Sequence, residues 1–174
     1  MSSIIKVDTI KTAAGGTPTA ADLGLNTTGS VLQVVTTTKT NTDTFSSTGY
    51  VDVGLDATIT PTSTSSEILI TASVAMASNT ASANVYFRIR NTTAGTSVSS
   101  DPYYINRWPT DAQDPYRVEK IHLQQIDSPS TTSAITYKIQ MKTNAGAFQI
   151  NMASNTGGGV TGLVSTVTLM EIAG

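Results

Sequence analysis

The sequence predicts an all-β chain, an antiparallel β-sandwich of jelly-roll-like type with an extended N-terminal arm. Three observations predict it. Thr and Ser number 31 and 19 in 174 residues, while only 13% of residues are charged. Thr is β-branched and sits well on a pleated, half-solvated surface. From Ser30 onward, short segments alternate apolar and polar residues with period two. Turn-forming residues separate these segments at short intervals, and no helix-length pattern lies between them, so the sheets are expected to be antiparallel.

The chain divides into an arm, residues 1–29, and a sandwich domain, residues 30–174. The arm reads "IIKVDTIKTAAGGTPTAADLGLN" from Ile4 to Asn26. Its apolar residues Ile4, Ile5, Val7, Ile10, Leu23 and Leu25 have too little company to bury one another. Each yields roughly 1.5 to 3 kcal/mol if fully buried against something else. Gly15 and Gly16 supply a hinge. Thr19 is placed to cap one helical turn over Thr19–Gly24. An extended segment gains affinity by adding to an exposed sheet edge. Ile4 to Ile10 is therefore expected to dock on a neighbouring chain.

The strands follow in order. "SVLQVVTTTK" (Ser30–Lys39) is the first. "YVDVGLDATITP" (Tyr50–Pro61) puts Val51, Val53, Leu55, Ala57 and Ile59 on one face, with a bulge near Gly54. "EILITASVAMA" (Glu67–Ala77) has one fully apolar face, Ile68, Ile70, Ala72, Val74 and Met76. Its second face is small or semi-polar, with Leu69, Thr71, Ser73 and Ala75, which suggests cover on both sides and a symmetric oligomer, a homotrimer. "ANVYFRIRN" (Ala83–Asn91) turns Val85, Phe87 and Ile89 inward and Tyr86, Arg88 and Arg90 outward, and "NTTAG" is its hairpin turn. "YRVEKIHLQQI" (Tyr116–Ile126) has mixed faces. "ITYKIQMKT" (Ile135–Thr143) alternates strictly and is expected to form a hairpin through "NAG" with "AFQINMA", Phe148, Ile150 and Met152 inward. "TGGG" reads as a flexible loop, and "LVSTVTLMEIAG" closes the domain with Val167 and Leu169 on one side and Met170 and Ile172 on the other.

Nothing in this pattern points to catalysis. There is no cysteine and a single histidine, His122, inside a strand, where it reads as a surface or interface residue. Gly157, Gly158 and Gly159 lack the Lys-Ser/Thr and helix of a phosphate loop. Asp101, Asp111 and Asp114 lack calcium-loop spacing and read as turn formers. No cofactor, metal or catalytic residue is expected. The net charge of −2 leaves no basic stripe for nucleic acid. No apolar run is long enough to span a bilayer, and no secretory leader is expected. The candidate site is the long interruption Ser99–Lys120, which holds Tyr103, Tyr104, Arg107, Trp108, Tyr116 and Arg117. Aromatic and Arg side chains suit recognition of a sugar or a protein. The same residues also suit cover for the end of the sandwich or a contact between subunits.

The stretches "IIKVDTIKTAAGGTPTAADLGLNTTGSVLQVV", "TFSSTGYVDVGLDATITPTSTSSEILITASV" and "STVTLMEIAG" resemble small virion proteins of marine, cyanophage-like tailed phages, of the tail-fibre type. The resemblance covers the arm, the first strands and the last strand. Between Ala77 and Thr161 the match is by strand pattern. It implies a non-enzymatic protein of the virion, attached to other virion proteins through its arm. Its β-sandwich head would be trimeric and would serve assembly or recognition of a host-surface glycan. A capsid decoration protein and a carbohydrate-binding module of a tailspike are the alternatives.

Overall fold

The computed structural model describes residues 9–18, 22–24, 28–78, 83–98, 104–107, 118–155, 158–160 and 162–174. Every regular element among them is a strand: β1 (Val31–Lys39), β2 (Asp43–Phe45), β3 (Val51–Ile59), β4 (Glu67–Ser78), β5 (Asn84–Asn91), β6 (Thr96–Ser97), β7 (Tyr104–Arg107), β8 (Glu119–Asp127), β9 (Ile135–Thr143), β10 (Phe148–Ile150), β11 (Ala153–Asn155), β12 (Gly158–Val160) and β13 (Ser165–Ile172). Asp22–Gly24 form a turn, while the rest of the expected helical turn and Ile4, Ile5, Val7 and Leu25 lie outside the described residues.

The first sheet runs β1–β13–β4–β8, with β2 and β10 continuing the β1 and β13 rows. The second runs β3–β9–β5, with β6 and β7 both on the far edge of β5. β11 and β12 form a separate ribbon. Setting the β11–β12 ribbon aside and taking β1 with β2, β6 with β7 and β10 with β13 as single rows leaves eight strands. The first pairs with the eighth, the second with the seventh, the third with the sixth and the fourth with the fifth, all antiparallel. That is a jelly roll, one long hairpin folded over on itself.

Period-two alternation makes the core. Ile68, Ile70, Ala72, Val74 and Met76 of β4 and Val167 and Leu169 of β13 face Val85, Phe87 and Ile89 of β5 and Ile135, Tyr137, Ile139 and Met141 of β9, all buried. β3 carries two extra residues between Asp52 and Asp56 where β9 has one step from Gln140 to Lys138. An even excess preserves parity, so Val53, Leu55, Ala57 and Ile59 all stay inside. Gly54 sits in this bulge at φ 69°, and a Cβ there would lie 3.0 Å from Lys39 Nζ. Lys39 is itself buried and ion-paired with Asp43.

Two expectations are corrected. β9 and "AFQINMA" do not pair with each other. Both edges of β9 are taken, by β3 and β5, so the chain crosses to the other sheet, where β10 lies between β4 and β2. Phe148, Gln149 and Ile150 are consequently all buried rather than alternating, and Met152 lies beyond the strand, half-buried. A four-residue turn permits either route, because its length does not encode which edges are vacant. The "TGGG" segment is not simply a loop, since Gly158 and Gly159 belong to β12.

Three polar groups hold the layers. Tyr137, fully buried, donates from its hydroxyl to Asp127 Oδ2 at 2.7 Å, joining β9 to the end of β8. Burial, and then the Asp127 carboxylate it bonds, push the Tyr137 phenol above its ordinary range and keep it a donor. Asn151, in the left-handed region at φ 59°, fills the break between β1 and β2. Its amide donates to Lys39 O (2.8 Å) and Asn41 O (3.1 Å), and its carbonyl accepts from Ser165 Oγ (2.7 Å). Glu171 is fully buried and accepts from Thr62 N (2.6 Å), Thr62 Oγ1 (2.7 Å), Ser66 Oγ (2.7 Å) and Gln33 Nε2 (2.6 Å). Burial by itself raises its pKa, but the bonds from Ser66, Gln33 and Thr62 outweigh it, and the net shift is downward.

Two outcomes follow. A carboxylate with a depressed folded-state pKa stabilises the fold above its unfolded value, here 4.5, and loses that contribution as pH falls through the folded value. Thermal melting should therefore drop in the acid range below that pH. Glu171→Gln should flatten the drop and cost about 1–3 kcal/mol at neutral pH, because one donor loses its acceptor. Gly54→Ala should cost about 1–3 kcal/mol in urea denaturation, from the positive φ and the crowding of Lys39.

Candidate functional site

The two outer faces of the sandwich differ in chemistry. Register aligns Val34, Met170, Leu69 and Ile126 in one row across the first sheet. Val34 is 55% and Ile126 51% exposed. The next rows are Thr36, Thr168, Thr71 and Gln124, then Thr38, Thr166, Ser73 and His122. The hydroxyls of Thr36 and Thr168 hydrogen-bond at 3.0 Å. His122 is exposed above a shallow depression shared with Thr71, Ser73, Gln124 and Thr166. The second face of β4 is thus a strip of Leu69, Thr71 and Ser73, half-buried, ending in buried Ala75.

The outer face of the second sheet contains no aliphatic side chain on β3, β5 or β9. Outward positions are Asp52, Asp56 and Thr58 on β3, Tyr86, Arg88 and Arg90 on β5, and Thr136, Lys138, Gln140 and Lys142 on β9. Pairing sets Tyr86 beside Lys142, Arg88 beside Gln140 and Arg90 beside Lys138. Tyr50, just before β3, completes the group. The Arg88 guanidinium lies 3.9 Å from the centroid of the Tyr50 ring, with Lys142 Nζ at 4.5 Å from the same ring and 5.3 Å from that of Tyr86. A polar chain runs on from there. Arg88 Nε donates to Gln140 Oε1 (2.8 Å), Gln140 Nε2 to Asp52 Oδ1 (2.6 Å), and Lys138 Nζ to Asp52 Oδ2 (2.8 Å). The hydrogen bond from Lys138 is the main influence holding the Asp52 carboxyl below its usual range, and the same bond raises the Lys138 ammonium. Four of the ten Lys and Arg residues of the chain occupy this one face.

The residues singled out from sequence are only partly described. Ile10 and Leu23 are 55% and 45% exposed. The arm's root is described: Gly29 N–H donates to Ala173 O (2.7 Å) and Ala173 N–H to Ser30 O (2.8 Å), so the arm leaves along the edge strand β1. Tyr104 and Arg107 are the ends of β7, opposite Phe87 and Asn84 on β5. Tyr103, Trp108, Tyr116 and Arg117 lie outside the described residues. Sequence reading missed the grouping of Tyr50, Arg88 and Lys142. The outward positions of Arg88 and Lys142 were visible in the alternation, but the register that joins them was not.

No family model matches the chain, and no curated protein sequence does. Among solved structures, the chain is similar to VP2 of infectious bursal disease virus in its subviral particle, with a TM-score of 0.42 and 12% identity over 81% of this chain and 37% of that one. It is similar to a mutant VP2 of the same virus, from derived particles, with a TM-score of 0.41 and 10% identity over 83% of this chain and 37% of that one. A likeness at these scores carries no functional weight.

The Tyr50–Arg88 contact should be measurable by itself. A double-mutant cycle of Tyr50→Leu and Arg88→Ala, read by chemical denaturation, should show a coupling of about 0.5–1 kcal/mol, the size of a partly exposed cation–π pair.

Proposed function

We propose that this is a virion structural protein of the tail-fibre type, attached through its N-terminal arm and presenting the jelly roll for assembly or host-surface recognition. The observation that carries the reading is the placement of two segments. The arm is rooted on β1, an edge of the first sheet, by the bonds of Gly29 and Ser30 to Ala173. The aromatic segment is entered through β7, on the far edge of the second sheet. β1 stacks near β3, the opposite edge of that second sheet from β7. One lateral edge of the sandwich therefore serves attachment and the other recognition. The resemblance of the arm, the first strands and the last strand to phage virion proteins supports the same reading. The row of Val34, Met170, Leu69 and Ile126, exposed at its two ends, supports self-association as a homotrimer, since closed symmetry lets one patch serve every subunit.

Deleting residues 1–12 should abolish incorporation into particles while leaving the circular dichroism of the sandwich unchanged. Normal incorporation of the truncated protein would overturn the role of the arm. Gold labelling of intact particles should mark the tail, and label on the capsid shell would make the chain a decoration protein instead.

A further inference from the structure

We propose that the end of β1 is a proton-operated latch: protonating Glu171 releases Gln33, and with it the root of the arm at Gly29–Leu32, while the rest of the sandwich stays closed. The latch adds a control to the arm of the reading above and rests on that reading for its biological setting only.

The root is a separable end of the ladder. β1 advances two residues, from Val31 to Gln33, where β13 takes one step, from Ile172 to Glu171. Such a bulge interrupts pairing, and it divides the continuous register of Gln33–Lys39 from the stretch before it. Beyond the bulge lie the pair Val31–Ile172 and the bonds from Gly29 N–H to Ala173 O (2.7 Å) and from Ala173 N–H to Ser30 O (2.8 Å). Gly29 and Val31 are exposed and Leu32 is half-buried, so little packing holds this end. Gln33 is the side chain that ties it down, because Nε2 donates to both Glu171 Oε2 (2.6 Å) and Thr60 O (2.7 Å).

The network at Glu171 has no vacancy for a proton. Oε1 accepts three hydrogen bonds, from Thr62 N–H, Thr62 Oγ1 and Ser66 Oγ, and the first of these donors is a backbone group that cannot rotate away. Oε2 accepts one, from Gln33. A proton on Oε2 therefore displaces the fewest bonds, and the bond it displaces is the one to β1. Gln33 cannot answer by turning its amide over. The turned amide would set its carbonyl against Thr60 O, where its N–H now donates.

The ionisable groups around Glu171 offer no cation in place of those bonds among the described residues. On β1 the nearest is Lys39 at the far end, paired with Asp43. β3 carries Asp52 and Asp56 on its outer face. β4 carries Glu67, exposed and bonded by Ser128 Oγ at 3.2 Å. β8 carries Asp127, beyond Ile68 in the row of Glu171, bonded by Tyr137 and Asn91. The turn from Thr60 to Ser66 has no ionisable side chain, and the carboxyl end at Gly174 accepts from Ser65 Oγ at 3.4 Å. Burial raises the Glu171 pKa, but the bonds from Ser66, Gln33 and Thr62 outweigh it and bring the pKa below 4.5. The open root binds the proton at the ordinary value and the closed root at the lower one. The latch is accordingly shut above 4.5 and opens as pH falls toward the folded value.

The test is amide hydrogen exchange of the full chain by NMR from neutral to acid pH, each amide expressed as protection over the unfolded rate at the same pH. Protection of Gly29 and Ala173 should fall about tenfold for each pH unit between the ordinary and the folded pKa of Glu171, while amides of β4 and β9 keep theirs. Glu171→Gln cannot titrate, so its Gly29 and Ala173 should exchange independently of pH, which also separates Glu171 from the carboxyl end at Gly174. Gln33→Leu unhooks β1 from Glu171 and should abolish the pH dependence at the same two amides. Circular dichroism at neutral pH establishes that both variants are folded. Protection at Gly29 and Ala173 that ignores pH in the unaltered chain, that falls in step with β4 and β9, or that keeps its pH dependence in either variant would each overturn the proposal. Particle incorporation is read in a separate experiment, so the latch and the tail-fibre reading fail independently.

Discussion

The ladder between β1 and β13 is the closure on which the rest of the molecule depends. It joins the first and last strands of the folded hairpin and fastens the root of the arm. It also carries Glu171, whose four hydrogen bonds reach Gln33 on β1 and the turn at Thr62 and Ser66 between β3 and β4. Gln33 donates a second bond to Thr60 O at 2.7 Å. One buried carboxylate thus ties β1, β13 and the turn from one sheet to the other. An unpaired carboxylate would be too costly in such a place, and full satisfaction of its oxygens is what makes the burial tolerable.

Nested pairing makes that closure long-range. Gln33 and Glu171 are 138 residues apart in sequence. The pairs inside the first–eighth ladder span progressively shorter stretches, down to the local turn between β5 and β6. Loop-closure entropy grows only logarithmically with length, so the outermost ladder costs little more than the ones within it once those are formed. The break between β1 and β2 is the place where this regular scheme needs help, and Asn151 supplies it by offering its side-chain amide to two carbonyls that the interrupted ladder leaves over.

A sandwich of this kind has two outer faces free to differ, because the core constrains only every second residue. Here they diverge fully. The first carries an apolar row at the end where the arm is rooted and hydroxyls beyond it. The second carries cations, tyrosines and hydrogen-bonding groups, with no aliphatic side chain at the outward positions of β3, β5 and β9.

Period-two alternation by itself determined the all-β class, the span of most strands and the inward residues of β3, β4, β5 and β9, because a residue's face follows from its parity within one strand. It also put Arg88, Arg90, Lys138 and Lys142 outward. Tertiary structure decided which strands are neighbours. It sent β10 across to the first sheet although a short turn invited a hairpin with β9, it buried Glu171 and Lys39 beside their partners, and it set Arg88 and Lys142 against Tyr50. Those outcomes depend on hydrogen bonding between segments far apart in sequence, on which edges are already occupied and on the register of pairing, and no local pattern of side chains contains that information.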